Sequence, residues 1–341
     1  MNKRVALVLG SGGARGYAHI GVIDELESRG YEVVAIAGCS MGAVIGGVYA
    51  AGELEGYRDW VTRLDYFDVL RLVDVTWSPM GAMRASKVMS KLESLLGRLS
   101  IEDLAIPFTS VATDLLRQRE VWFQSGPLLR AIRASIAVPG LITPVHHGDQ
   151  VLVDGGLMNP LPIIPTVAAH ADLILAVNAT AQTHRPVSLE ELLPPAEAAE
   201  EQAREAQRGG EGSGLGEWFN GVRTRAQKMF SNGTGEGDAG DERHSARAVE
   251  RAWGKLDIML TSFEITQAAL AKYKIAGYPP DVLVEIPKTV CGAYEFHRAE
   301  ALICLGRHLA RQALDRYEGP GGALSEGQAM VSAPDTGKPA N

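Results

Sequence analysis

The sequence is short of cysteine, of positive charge and of long apolar runs, and each shortage narrows the field. Three cysteines, Cys39, Cys291 and Cys304, are too few and too scattered for a disulfide framework, and no CxxC or Cys/His cluster offers metal-ligand spacing. Cys39 reads as core packing. A formal net charge of -8 argues against a general affinity for nucleic acid, because phosphate binding requires a basic face. Nothing in the chain resembles a calcium loop. The apolar start, Val5 to Leu9, is cut off by glycines and Arg15, too early for a signal peptide. The longest uncharged stretch, Val33 to Gly52, contains five glycines and a central serine. It is just long enough to span a bilayer, but that composition fits a buried strand followed by a helix better. The expectation is a cytoplasmic protein, with contact at the inner face of the membrane as its extension.

Hydrophobic residues make up 46% of the 341 positions, enough to bury a sizeable core as one large α/β domain or two small ones. Strand-like and helix-like runs alternate. Val5 to Leu9 leads to a helix over Ala18 to Arg29, Val33 to Ala37 to a helix over Met41 to Ala51, and strands follow at Phe108 to Ala112 and Glu120 to Phe123. This pattern predicts a mostly parallel sheet covered by helices. A hairpin is expected over Ile142 to Val153, turning at His147 to Asp149, and a buried strand over Asp172 to Asn178.

Composition then shifts, which divides the chain into four parts: 1–180, 181–245, 246–318 and 319–341. The second is rich in alanine, glutamate and glycine and reads as an insertion or linker. Within it Trp218, Phe219, Val222, Ala226, Met229 and Phe230 share one helical face, suited to a membrane surface or to packing on its own domain. The third part carries a long helical pattern, then a strand over Asp281 to Ile286 and a helix over Phe296 to Arg316 that complete the first sheet. The polar, glycine- and proline-rich tail reads as disordered.

Chemistry gathers at three glycine-punctuated places. Gly38-Cys-Ser-Met-Gly42 lies between a strand and a helix, the pattern of a nucleophile elbow that exposes a serine hydroxyl at the sheet's edge. Ser40 is the candidate nucleophile, and chance occurrence in a glycine-rich turn is the alternative. Gly10-Ser-Gly-Gly-Ala-Arg-Gly16 follows the first strand, and its amides can face either a dinucleotide pyrophosphate or the oxyanion of acyl transfer. The dinucleotide reading needs an acidic residue at the end of the second strand. Gly38, Cys39 and Ser40 stand there instead, and Glu32 lies at the wrong end. Asp154, before Gly155 and Gly156, is the candidate base, with a plain Asx-turn as its alternative. His170 follows Asp154 in the order of a Ser-His-Asp triad, but Ser40 has only one strand ahead of its own, which does not suit the α/β-hydrolase elbow.

Together, Ser11-Gly-Gly-Ala-Arg-Gly16, Gly38-Cys-Ser-Met-Gly42 and Asp154-Gly-Gly156 resemble the patatin-like phospholipases, in particular their short bacterial members. Ala134-Ser-Ile-Ala-Val-Pro139, Thr113-Asp114, Pro279-Pro-Asp281 and Phe296-His-Arg-Ala-Glu300 extend the likeness. The resemblance implies a three-layer α/β/α fold and a serine lipid acyl hydrolase acting on phospholipids, lysophospholipids or other fatty acyl esters, with no cofactor and no metal. It implies Ser40 as nucleophile, Asp154 as its base, and the amides of Gly12, Gly13 and Ala14 as the oxyanion hole, with Arg15 in electrostatic support. A carboxylate of ordinary pKa, about 4, is a weak base for a hydroxyl, so charge stabilisation at the oxyanion must carry much of the work. Residues from Leu54 to Met83 are a candidate acyl channel or lid. The competing reading is a nucleotide-binding or membrane-surface regulatory protein without hydrolytic activity.

Overall fold

The computed structural model describes residues 3–72, 74–78, 81–208 and 255–319. In chain order its strands are β1 (Arg4–Leu9), β2 (Glu32–Cys39), β3 (Val75–Ser78), β4 (Gly81–Met83), β5 (Phe108–Asp114), β6 (Arg119–Phe123), β7 (Gly140–Ile142), β8 (Val145–His147), β9 (Gln150–Asp154), β10 (Leu173–Ala181) and β11 (Val282–Pro287). The α-helices are α1 (Ala18–Ser28), α2 (Met41–Ala50), α3 (Leu54–Val61), α4 (Tyr66–Leu72), α5 (Ser86–Leu96), α6 (Leu128–Ser135), α7 (Leu189–Leu192), α8 (Pro195–Arg208), α9 (Lys255–Gly277) and α10 (Ala299–Glu318). Among the described residues no helix is long and apolar enough to cross a membrane.

The central sheet runs β11-β10-β1-β2-β5-β9-β8, with β6 pairing to β5 beside that path. Pairing is parallel from β11 through β5 and antiparallel for β6, β9 and β8. A small second sheet joins β3, β4 and β7.

Period-two alternation makes three layers. In β1, Val5, Leu7 and Leu9 join Ile20, Ile23, Ile45 and Leu305 on one face, where α1, α2 and α10 pack, whereas Val8 meets Ala176 and Ala271 of α9 on the other. Buried on both faces, such strands read as continuous apolar runs. Helices α1 and α10 cross at glycines: a methyl on Gly21 would lie 1.9 Å from the Ile303 carbonyl oxygen, and one on Gly306 would lie 2.0 Å from that of Ala18.

The acidic stretch after residue 180 begins inside this domain. Strand β10 ends only at Ala181, Leu189 of α7 is fully buried, and Glu201 of α8 is buried against Arg298 at the foot of α10. Alanine and glutamate set this segment apart in composition, yet buried ion pairs dock its first third. The amphipathic stretch from Trp218 to Phe230 and the tail from 320 onward lie outside the described residues.

Candidate active site

Strand β2 ends at Cys39 and α2 begins at Met41, leaving Ser40 alone in the turn with φ 54° and ψ −122°. A non-glycine residue pays about 1–3 kcal/mol for such a conformation and holds it only where its surroundings over-determine it. Here they do. Gly42 admits β1 so closely that a methyl on it would lie 2.0 Å from the Leu9 carbonyl oxygen, and one on Gly38 would lie 2.4 Å from that of Gly42. The Ser40 amide donates to the Ser135 hydroxyl at 2.9 Å, and that hydroxyl donates to the Val111 carbonyl at 2.6 Å. Ser135, the last residue of α6, thereby ties the elbow to β5.

Sheet register brings the carboxylate to the serine. Cys39 pairs with Val111 of β5, and Ala112, the next residue of β5, pairs with Asp154 at the end of β9. The Ser40 hydroxyl donates to Asp154 Oδ2 at 2.6 Å, and the Gly156 amide donates to Asp154 Oδ1 at 2.7 Å. Ser40 is 7% exposed and Asp154 fully buried. Burial raises the Asp154 carboxyl to about 7, against the opposing pull of those two hydrogen bonds. A methyl on Gly155 would lie 2.3 Å from the Val111 carbonyl oxygen, so the backbone after Asp154 reaches β5 directly.

The glycine loop lies at the end of β1, beside the elbow. The amide of Gly10 donates to Val177, that of Ser11 to Pro160 and that of Ala14 to the Ala293 carbonyl at 2.7 Å. Ala14, expected among the oxyanion donors, is therefore committed elsewhere: the segment before α10 folds over the loop and takes its proton. The amides of Gly12 and Gly13 meet no acceptor among the described residues. Gly13 has φ +58°, and a methyl there would lie 2.3 Å from the Ala293 carbonyl oxygen. Gly16 packs on the Met41 side chain, next to Ser40. Arg15 is buried and its guanidinium donates to Glu264 of α9 at 2.7 Å. Its charge is thus already matched, which moderates the support expected of it.

Histidine has no part in this arrangement among the described residues: none hydrogen-bonds Ser40 or Asp154. His170 is exposed. His19 is fully buried beneath the loop, its Nε2 2.8 Å from the Gly10 carbonyl oxygen. Burial pushes its pKa down to about 4, so it is a neutral donor to that carbonyl. Among the described residues no group of His, Cys, Asp and Glu could hold a metal ion. A cavity of about 490 Å³ lies between α3, α4 and α5, with Trp60, Leu64, Leu72 and Lys91 in its wall. From its wall Trp60 packs on Tyr57, whose hydroxyl is 4.0 Å from Sδ of Met41, the residue that follows Ser40.

Three neighbours of the site have no role readable from the sequence alone. Ser135 lies within the Ala134 to Pro139 stretch but has no motif of its own. Glu264 and Gln267 come from α9, more than a hundred residues beyond Asp154; their spacing of three puts both on one helical face, the only trace of their role in the sequence.

The sequence model of the Patatin-like phospholipase family matches residues 7–167. An uncharacterized NTE family protein of Mycobacterium tuberculosis (strain H37Rv) is 41% identical over 354 residues, covering 93% of each chain. Lysophospholipase nte1 of Emericella nidulans is 32% identical over 184 residues, which is 52% of this chain and 12% of that protein. Among solved structures, VipD from Legionella pneumophila aligns with a TM-score of 0.43 and 14% identity, over 92% of this chain and 67% of that one. The matched region carries β1 with its glycine loop, the Ser40 elbow and the strand ending at Asp154, so the chain belongs to the patatin-like phospholipase family of lipid hydrolases, among its NTE family proteins.

Proposed function

We propose that the protein hydrolyses fatty acyl esters of lysophospholipids or phospholipids through a Ser40–Asp154 dyad and an acyl-enzyme. The observation that carries this reading is the 2.6 Å hydrogen bond from the Ser40 hydroxyl to a buried carboxylate. As Ser40 Oγ attacks the ester carbonyl, its proton passes to Asp154 Oδ2, and a carboxyl raised to about 7 is better matched to that transfer than an ordinary one. The oxyanion rests on the amides of Gly12 and Gly13 beside the positive end of α2. Collapse expels the lysolipid or glycerol alkoxide, which takes the proton from Asp154. Water then enters by the same route in reverse and releases the fatty acid.

The name of one relative, a lysophospholipase, supports single-chain substrates, and the enzyme meets them at the inner face of the membrane. No nucleotide enters this reading, because Glu32 stands exposed at the start of β2, the far end from the loop. The test is fatty acid release from lysophosphatidylcholine, phosphatidylcholine and p-nitrophenyl esters, with Ser40→Ala as control. Turnover in the wild type, absent in the variant, is expected. Equal release by both, or micromolar nucleotide binding with no ester hydrolysis, would reject it.

A further inference from the structure

Gln267 lies on α9 and is 5% exposed, and its carboxamide nitrogen sits against Gly156, two residues after Asp154. A methyl on Gly156 would lie 2.1 Å from Gln267 Nε2 and 3.0 Å from Asp154 Oδ1, so the carboxamide and the carboxylate press on the same face of Gly156. Glycine at 156 leaves the space that the Gln267 side chain fills.

We propose that Gln267 positions the water that hydrolyses the acyl-enzyme. The inference rests on the dyad reading and adds a residue to its second half. In the resting site Asp154 is fully engaged, Oδ1 by the Gly156 amide and Oδ2 by Ser40. Acylation removes the Ser40 proton, and Oδ2 loses its donor. A water that takes this place donates one hydrogen to Oδ2; its second hydrogen needs an acceptor, and its oxygen must face the acyl carbon. A carboxamide beside the carboxylate offers both an acceptor and a donor, which fixes that orientation. The water oxygen then bonds to the acyl carbon while its proton passes to Asp154 Oδ2. The bond from acyl carbon to Ser40 Oγ breaks, the proton returns from Asp154 to Oγ, and one fatty acid leaves for one water consumed.

The experiment uses the full chain, p-nitrophenyl butyrate and rapid-quench intact-mass spectrometry, with Gln267→Ala and Gln267→Met. The methionine variant keeps the volume and removes the hydrogen bonds. A misplaced reactant costs on the order of 100-fold, so the butyryl group should leave both variants about 10- to 100-fold more slowly than wild type. Release of the first equivalent of p-nitrophenol should stay within about threefold. Unchanged butyryl loss in Gln267→Met, or acylation and loss slowed by the same factor, would overturn the proposal. Failure of the dyad reading is separate: Ser40→Ala would then still acquire the butyryl group.

Discussion

Burial sets the proton affinity of Asp154, and two pH dependences of opposite use follow from it. As the proposed base the carboxylate must be ionised, so kcat/KM should rise with pH and level off above a midpoint near 7. Stability runs the other way. A carboxyl whose folded pKa is raised binds its proton more tightly in the native state than in the unfolded one, so its contribution is full below the unfolded value and is lost as pH rises through about 7. Asp154→Asn should therefore abolish turnover and raise the melting temperature at pH 8, with a gain that shrinks toward pH 5. The upper bound on that gain is about 4 kcal/mol. Thermal melts of the two proteins across that range check it; a variant less stable at pH 8 would speak against it. His19 acts with the reverse sign, because a neutral buried imidazole stabilises the fold above the unfolded value and loses this as pH falls toward 4. Ser40 and Asp154 were legible because glycines mark both turns. Ser135 and Gln267 were not, because a hydroxyl ending one helix and an amide on another acquire meaning only when packing delivers them to Ser40 and Gly156.

Helices and strands declared themselves where period and length agreed. The runs at Val5, Val33 and Phe108 became β1, β2 and β5, and the turn at His147 to Asp149 joins β8 to β9 as the hairpin pattern required. What alternation could not reveal is that β9 runs antiparallel to β5, which is how the end of β9 comes to lie beside the elbow. Docking of α7 and α8 was hidden for another reason: polar composition signals exposure, and here glutamates face inward. Arg298, 2% exposed, pairs with Glu201 at 2.8 Å and with Glu190 at 2.5 Å, and Glu205 and Glu295 lie within 4 Å of its guanidinium. Removing one side of a buried cluster leaves uncompensated charge, at a cost of about 3–5 kcal/mol. Arg298→Met should lower unfolding free energy by that order in urea melts and speed amide exchange in residues 189–208 first. Unchanged exchange there would show that the cluster does not hold the segment.

Across the whole molecule, the site is assembled from strand ends that the sheet gathers at one edge. The loop after β1 and the elbow after β2 arrive there because neighbouring parallel strands end together, and α9 closes over them from the other side of the acidic stretch. The first two were readable from the sequence, since glycine-rich turns at strand ends need only local information. The role of α9 and of the segment carrying Ala293 was not, because each acts on a loop some 250 to 280 residues away. Everything turns on whether this edge carries a serine nucleophile driven by a carboxylate alone. The rate and site of fluorophosphonate labelling, read by peptide mass spectrometry, decide it. A single adduct on Ser40 is expected in the wild type, slowed by about 100- to 10,000-fold in Asp154→Asn and unaffected by His170→Ala. An adduct on another residue, or equal labelling of wild type and Asp154→Asn, would refute the dyad.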